Sequence, residues 1–280
     1  MNTNKLIEIA LAEDKVFQDI TTKEFISKDK KARAVLIANK PGVLCGIDIF
    51  EKVYKTISSA CKVESKIKDG SLLKKGDKIL KITGPASAIL SGERTALNFL
   101  QNLSGIATLT HEFVKLVKNG KTKIYDTRKT LPGYRTLAKY AVVCGGATNH
   151  RMNLSDMVLI KDNHLSLSES LADKIKSFRK KHKNILIEVE CENLAQVRRS
   201  VAAKADIIML DNTNYTNTKK MIAFIRRNSV SGYKPEIEIS GGVNLQTAKK
   251  LAKLGAERIS VGMITHSAPA LDITLEITID

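Results

Sequence analysis

Lys123-Ile124-Tyr125-Asp126-Thr127-Arg128-Lys129-Thr130-Leu131-Pro132-Gly133 reads as a short strand with a polar end. Lys123 to Tyr125 has strand character, and the proline and glycine stop it. Two fixed cations, Arg128 and Lys129, therefore stand at a strand's carboxyl end, where α/β folds keep their chemistry. About one helix further on, Asn149-His150-Arg151 adds a second cluster of donors. Arginine presents a planar fork to carboxylate or phosphate, and lysine a compact point charge. Together they suggest a pocket for a ligand with several negative charges. By itself, an Arg-Lys pair is usually a solvated surface.

Outward from this stretch the chain keeps one rhythm. Apolar runs at 123–126, 157–161, 185–190, 206–211, 236–240 and 258–261 alternate with helical segments at 134–143, 168–182, 194–204, 217–228 and 245–254. Strand and helix in short steps mean a parallel sheet. Every strand ends in polar residues, which suits a barrel better than an open sheet with one crevice. Six recognisable strands predict an incomplete α/β barrel of about six to seven parallel strands.

The first hundred residues read differently. Residues 4–13, 47–60, 86–103 and 107–117 have helical spacing. Residues 31–46 read as a strand pair broken at Lys40-Pro41-Gly42, and 61–85 as antiparallel hairpins. The expected division is an α+β N-terminal domain over 1–109, a barrel over 110–267, and a tail over 268–280 that packs back on the first domain.

The 280 residues carry 46 Lys+Arg against 29 Asp+Glu, a formal charge of +17. That favours anionic partners such as nucleic acid, membrane surfaces or phosphorylated metabolites. Aromatics are few, and no stretch interleaves them with basic residues as a base-stacking surface would. No apolar run approaches the roughly 20 residues needed to cross a membrane. Residues 1–19 lack a basic head and apolar run, so no signal peptide is expected. Cys45, Cys61, Cys144 and Cys191 are widely spaced, which suits free thiols in a reducing cytoplasm.

Several strand ends carry candidate chemistry. Ser240-Gly241-Gly242 and Val261-Gly262-Met263 each follow a strand; such loops bind phosphate or serve simply as turns. Glu190 and Asp211 end neighbouring strands. They suit sugar hydroxyls, positive charge on a sugar ring, or Mg²⁺ carried with substrate phosphates; paired structural acids answering Lys161 are the plain alternative. Glu188 shares the face of Glu190. Lys161 needs a partner or an anionic ligand. His150 and His164 fit hydrogen-bonding groups better than acid–base catalysts. Arg94, in the long helix of the first domain, is a surface residue or reaches over a barrel mouth.

Taken in order, these motifs resemble the quinolinate phosphoribosyltransferase family over almost the whole chain. The likeness rests on Leu11-Ala12-Glu13-Asp14, Asp19-Ile20-Thr21-Thr22, Glu93-Arg94-Thr95-Ala96-Leu97-Asn98 and Leu103-Ser104-Gly105-Ile106-Ala107. It continues through Asp126-Thr127-Arg128-Lys129-Thr130, Lys139-Tyr140-Ala141, Asn149-His150-Arg151-Met152 and Leu159-Ile160-Lys161-Asp162-Asn163-His164. It ends with Glu188-Val189-Glu190, Met209-Leu210-Asp211-Asn212, Ser240-Gly241-Gly242-Val243-Asn244, Ser260-Val261-Gly262 and the run from Thr265 to Asp272. Ala147 stands where a third glycine is expected, and Tyr134 where an aliphatic is.

The resemblance implies a type II phosphoribosyltransferase acting as a dimer with shared active sites. It would convert quinolinate and phosphoribosyl pyrophosphate, with Mg²⁺, to nicotinate mononucleotide, pyrophosphate and CO₂. By motif, Arg94 from the partner with Arg128, His150, Arg151 and Lys161 would hold quinolinate. Lys129 would meet the pyrophosphate side, and Glu190 and Asp211 the ribose or its metal, with these three as the catalytic set. Thr127, Ser240, Gly241, Gly242, Val261, Gly262 and Met263 would complete the phosphoribosyl site. The nearest rival is a relative of the same fold acting on another acid such as nicotinate, or one linked to metal uptake. A basic nucleic-acid-binding protein is the rival of another class, with 174–183 as its best support.

Overall fold

The alternation Lys31-Ala32-Arg33-Ala34-Val35-Leu36-Ile37-Ala38 places Ala32, Ala34, Leu36 and Ala38 on one buried face, and so makes a strand rather than a helix. In the computed structural model, which describes residues 3–118, 120–166 and 170–278, that strand, β1 (Lys31–Ala38), centres the first unit's sheet. Before it come α1 (Thr3–Glu13) and α2 (Ile20–Phe25). After it come β2 (Gly42–Val43), α3 (Ile47–Ile57), β3 (Lys62–Ser65), β4 (Leu72–Leu73), β5 (Lys78–Pro85) and α4 (Ala86–Val117). β1 does not form a hairpin with β2 as the Lys40-Pro41-Gly42 break suggested. It pairs antiparallel with β5, while β2 pairs with β4. β5 also takes β3 antiparallel.

α4 is one helix of 32 residues, where two were expected. Gly105 does not break it. A glycine inside a helix costs about 1 kcal/mol, and the buried stripe of Leu100, Leu103 and Ala107 outweighs that. The glycine serves close approach: a Cβ there would lie 2.0 Å from the Pro269 carbonyl oxygen.

The chain divides into two compact units, residues 1–111 with 130–146 and 264–280, and residues 112–129 with 147–263. Residues 130–146, expected in the barrel, thus cluster with the first unit. They carry α5 (Arg135–Cys144), whose Tyr140 hydroxyl donates to Asp69 at 2.7 Å. Gly145 behind it is seated where a Cβ would meet the Ala107 carbonyl at 2.5 Å.

The second unit is the barrel. β6 (Lys123–Tyr125) is followed by β7 (Val158–Ile160), α6 (Asp162–Ser166), α7 (Leu171–Lys181), β8 (Ile187–Cys191), α8 (Leu194–Ala202), β9 (Ile207–Asp211), α9 (Tyr215–Arg227), β10 (Glu236–Ser240), α10 (Leu245–Ala252) and β11 (Arg258–Ser260). Six parallel strands run in the order β6-β11-β10-β9-β8-β7. From β7 to β11 chain neighbours are sheet neighbours, and the first strand, β6, pairs with the last, β11. That is the order of a barrel, with the seam open between β6 and β7. The start of the helix expected over 168–182 lies outside the described residues. α7 buries Leu171 and Ile175 and exposes Lys174, Lys176 and Lys180, an ordinary amphipathic face.

Asparagine caps set where barrel helices begin. Asn193 accepts from the Gln196 amide and Asn244 from the Thr247 amide, each closed into a reciprocal capping box. The chain returns through α11 (Met263–His266) to β12 (Ile273–Thr278), which pairs antiparallel along the free edge of β1.

Candidate active site

Strand parity builds the site. Four of the barrel strands have one apolar, buried face: Val189 and Cys191 in β8, Ile208 and Leu210 in β9, Ile237 and Ile239 in β10, and Ile259 in β11 with Val261 just after it. The alternate positions are Glu188 and Glu190, Met209 and Asp211, Glu238 and Ser240, and Ser260, and they share the other face. Glu188 and Glu238 come from β8 and β10, with β9 between them, yet both reach His150 Nε2, at 3.0 and 3.5 Å. Only an inward-curved sheet brings these carboxylates together, so this face is the barrel interior.

At the strands' carboxyl ends a cavity of about 400 Å³ opens. It collects Thr127, Arg128, Lys129, His150, Arg151, Lys161, Glu190, Asp211, Ser240, Gly241 and Gly242, all singled out from sequence. Arg94, Val261, Gly262 and Met263 do not line it. Val261 is fully buried on the apolar face of β11, and Gly262 and Met263 follow it half-buried. Arg94 is exposed on α4 and lines a cavity of the first unit with Glu13, Asp14, Asn98 and Tyr134. Glu238, Met209 and Ser260 also line the barrel cavity, though the sequence reading gave none of them a site role. Their signal was parity: Glu238 shares the face of Ser240, and Met209 that of Asp211.

The cavity has a cationic side and an anionic side. On the first, Arg128 and Arg151 are half-buried. Burial, then the Arg128 charge, lowers the proton affinity of the Arg151 guanidinium. Arg151 Nη1 donates to the Met157 carbonyl at 3.2 Å, and Arg128 Nε is buried without a hydrogen-bond partner among the described residues. On the second side Lys161 Nζ donates to Glu190 Oε2 at 2.8 Å. Lys161 follows the last residue of β7. Asp211 accepts from the Asn212 amide at 2.6 Å.

His150 faces inward and both its ring nitrogens are engaged. Nδ1 accepts from the Arg151 amide at 2.8 Å, and Nε2 faces the two glutamates. Burial disfavours the charged ring, but hydrogen bonds to Glu188 and Glu238 raise it to about 9. Burial and the Glu238 charge push the Glu188 carboxyl up to about 7. Glu238 also accepts from the Ser260 hydroxyl at 2.5 Å. The backbone of His150 is held too, its N–H donating to the buried Asp126 at 2.7 Å.

The glycine loop is shaped by its neighbour. Gly241 and Gly242 have φ of +89° and +60°. A Cβ on Gly241 would lie 2.2 Å from Asn212 Oδ1. Backbone in this conformation, unprotected by side chains, is the kind that cradles a phosphate.

Residues 19–104 match the family model described as quinolinate phosphoribosyl transferase, N-terminal domain, and residues 106–276 match that of its C-terminal domain. A probable nicotinate-nucleotide pyrophosphorylase (carboxylating) of Methanocaldococcus jannaschii is 39% identical over 285 residues, covering 98% of this chain and 96% of that one. The nicotinate-nucleotide pyrophosphorylase (carboxylating) of Mycobacterium leprae is 36% identical over 261 residues, with 92% and 91% covered. The crystal structure of nicotinate-nucleotide pyrophosphorylase from Ehrlichia chaffeensis matches with a TM-score of 0.91 and 38% identity over 99% of both chains.

Proposed function

The chain belongs to the quinolinate phosphoribosyltransferase family, and we propose that the cavity at the barrel strand ends is where its two substrates meet. The enzyme transfers phosphoribosyl from phosphoribosyl pyrophosphate to quinolinate with loss of CO₂. It yields nicotinate mononucleotide and pyrophosphate in NAD biosynthesis.

The observation that supports this use of the cavity most directly is the unpartnered buried Nε of Arg128 beside Arg151. Two neighbouring guanidiniums repel, and an unpaired buried donor costs about 1–3 kcal/mol. A dicarboxylate answers both costs. Arg128, Arg151 and Lys161 grip quinolinate, and His150, with its ring nitrogens engaged by the Arg151 backbone amide and the two glutamates, holds the Arg151 backbone in place. Arg94 of a second copy completes the grip, which makes the working unit a homodimer with shared sites.

Thr127 and the Ser240-Gly241-Gly242 turn, which line the cavity, take the phosphoribosyl group. The pyridine nitrogen attacks the ribose carbon as pyrophosphate leaves, so positive charge grows on the sugar. Asp211 and Glu190 lie on that side and favour it. Lys129, exposed at the rim, draws the departing pyrophosphate. The carboxylate beside the now cationic ring nitrogen then leaves as CO₂. Its electron pair stays on the ring carbon, which takes a proton, while the cations keep hold of the other carboxylate.

The donor set fits Mg²⁺, since Glu190 and Asp211 offer carboxylate oxygens from adjacent strands and the substrate supplies phosphates. When bound, Mg²⁺ would neutralise charge on the leaving group. Four free thiols suit a reducing compartment, and the proposed location is the cytoplasm. No helix among the described residues is long and apolar enough to cross a membrane.

Incubating the protein with quinolinate, phosphoribosyl pyrophosphate and Mg²⁺ tests the reading. Nicotinate mononucleotide and CO₂ should form in equal amounts, and nicotinate should not replace quinolinate. Turnover of nicotinate instead would overturn it.

A further inference from the structure

Cys45, Asp69 and Cys144 take no part in the chemistry above, yet their two Sγ atoms and a carboxylate oxygen all lie within 4.8 Å of one another. All three belong to the first unit. Cys45 stands just before α3, its amide donating to Ser104 Oγ at 3.0 Å and its carbonyl accepting from that hydroxyl at 3.2 Å. The loop that carries Asp69 is tied to the same segment by Gly70 N–H to the Leu44 carbonyl at 2.8 Å and Leu44 N–H to the Ser71 carbonyl at 3.0 Å. Cys144 is the last residue of α5 and brings its sulfur from the other side. Cys45 is fully buried, and Cys144 and Asp69 are half-buried.

The surroundings are those of a metal ligand set. Asp69 accepts from the Gly46 amide at 2.9 Å, the Ile47 amide at 3.2 Å and the Tyr140 hydroxyl at 2.7 Å. A carboxylate that binds a metal is commonly oriented in this way by its own hydrogen bonds. The two helices are complementary: the amino end of α3 favours anionic ligands and the carboxyl end of α5 favours a cation. A cavity of about 500 Å³, lined by Asp48, Glu51, Lys68, Asp69 and Tyr140 among others, gives entry from solvent.

We propose that Cys45, Asp69 and Cys144 form a binding site for one thiophilic divalent cation of the zinc class. Tetrahedral zinc, with Zn–S of about 2.3 Å and Zn–O of about 2.0–2.2 Å, separates its ligand atoms by roughly 3.5–3.8 Å. That spacing lies inside the observed limit. A water takes the fourth position, while the Tyr140 hydroxyl keeps its bond to Asp69. Binding replaces the two thiol protons, which pass to solvent. The ion would fasten the end of α5 to the start of α3, leaving the barrel chemistry untouched.

The test uses the full-length protein, reduced and stripped with chelator, with four free thiols verified by mass spectrometry. Cadmium is titrated while thiolate-to-metal ultraviolet absorption is followed, and zinc is then added as competitor. One equivalent per chain should saturate the band, and zinc should displace it. Cys144→Ser should weaken cadmium at least tenfold and change the band, whereas Cys61→Ser and Cys191→Ser should leave both as they are. Asp69→Asn keeps a residue able to cap α3 and should weaken cadmium with the thiolate band retained. Zinc should raise the melting temperature of the wild type and not of Cys144→Ser. A reduced chain that takes no cadmium at equimolar concentration, or a band unaltered by Cys144→Ser, would overturn the site.

Discussion

Lys161 Nζ and Glu190 Oε2 meet at 2.8 Å across two neighbouring strands, the carboxylate almost buried and the lysine half in solvent. The pair joins the grip proposed for quinolinate to the side proposed for ribose. Removing the lysine strands the buried partner, which costs more than the pair itself contributes. Because Lys161 is exposed along nearly half its side chain, screening reduces the loss. Lys161→Met should destabilise by about 1–2 kcal/mol in urea denaturation. Lys161→Met with Glu190→Gln should recover most of that. Strictly additive losses would show that the two side chains are not coupled.

The His150–Glu188 pair should give the barrel a pH signature. Both groups have raised proton affinity in the fold, from 4.5 to about 7 for Glu188 and from 6.5 to about 9 for His150. A raised folded value means stability that is full below the unfolded value and lost as pH rises through the folded one. The Glu188 contribution therefore falls between about pH 4.5 and 7 and the His150 contribution between about pH 6.5 and 9, so stability declines across the whole span. Urea midpoints for wild type and Glu188→Gln across that window should diverge in slope, with the variant flatter. Parallel curves would mean that the buried pair does not titrate there.

Much of this arrangement was legible because barrel chemistry sits at strand ends and a strand's period is two. Glu190, Asp211 and Ser240 could be named from their positions, and parity also held the signal for Glu238 and Met209. Other features could not be read locally. Gly105 looks like a helix break until Pro269, far away in sequence, is seen packed against it. β2 looks like the partner of β1 until β4 takes it. His150 reads as a hydrogen-bonding group without named partners, and only the fold shows two glutamates from non-adjacent strands meeting its ring. Cys45 and Cys144 lie 99 residues apart, and nothing local in sequence brings them together.

Gly241 should tolerate no side chain. Its φ of +89° strains any L residue, and a methyl would press on Asn212. Gly241→Ala should cost about 1–3 kcal/mol in stability and weaken phosphoribosyl pyrophosphate at least tenfold. Gly255→Ala, also at positive φ but with open space around it, is the control for backbone strain alone. Equal effects on substrate binding would remove the phosphate role from the Gly241 turn.

Asp211 should act on turnover more than on affinity. A carboxylate facing charge that exists only in the transition state contributes there and not in the ground state. Its side chain is half-exposed and its one described partner is Asn212, so Asp211→Asn should fold normally. The expected loss in kcat is about 100-fold or more, with Michaelis constants within about threefold. A raised Michaelis constant at unchanged kcat would reassign Asp211 to ground-state binding.

Arg94 tests the shared site. It is exposed on α4 in the first unit and does not line the barrel cavity of its own chain. If a second copy brings it to that cavity, Arg94→Ala and Lys161→Ala should each be nearly inactive alone. Mixing the two variants and letting subunits exchange places both defects in one site of a mixed dimer and none in the other. Random exchange makes about half the dimers mixed, and half of their sites are intact, so activity should return to about a quarter of wild type for independent sites. A labelled subunit confirms that exchange has occurred. Exchange without recovery would mean that Arg94 serves its own chain's fold or site, and the grip on quinolinate would have to close without it.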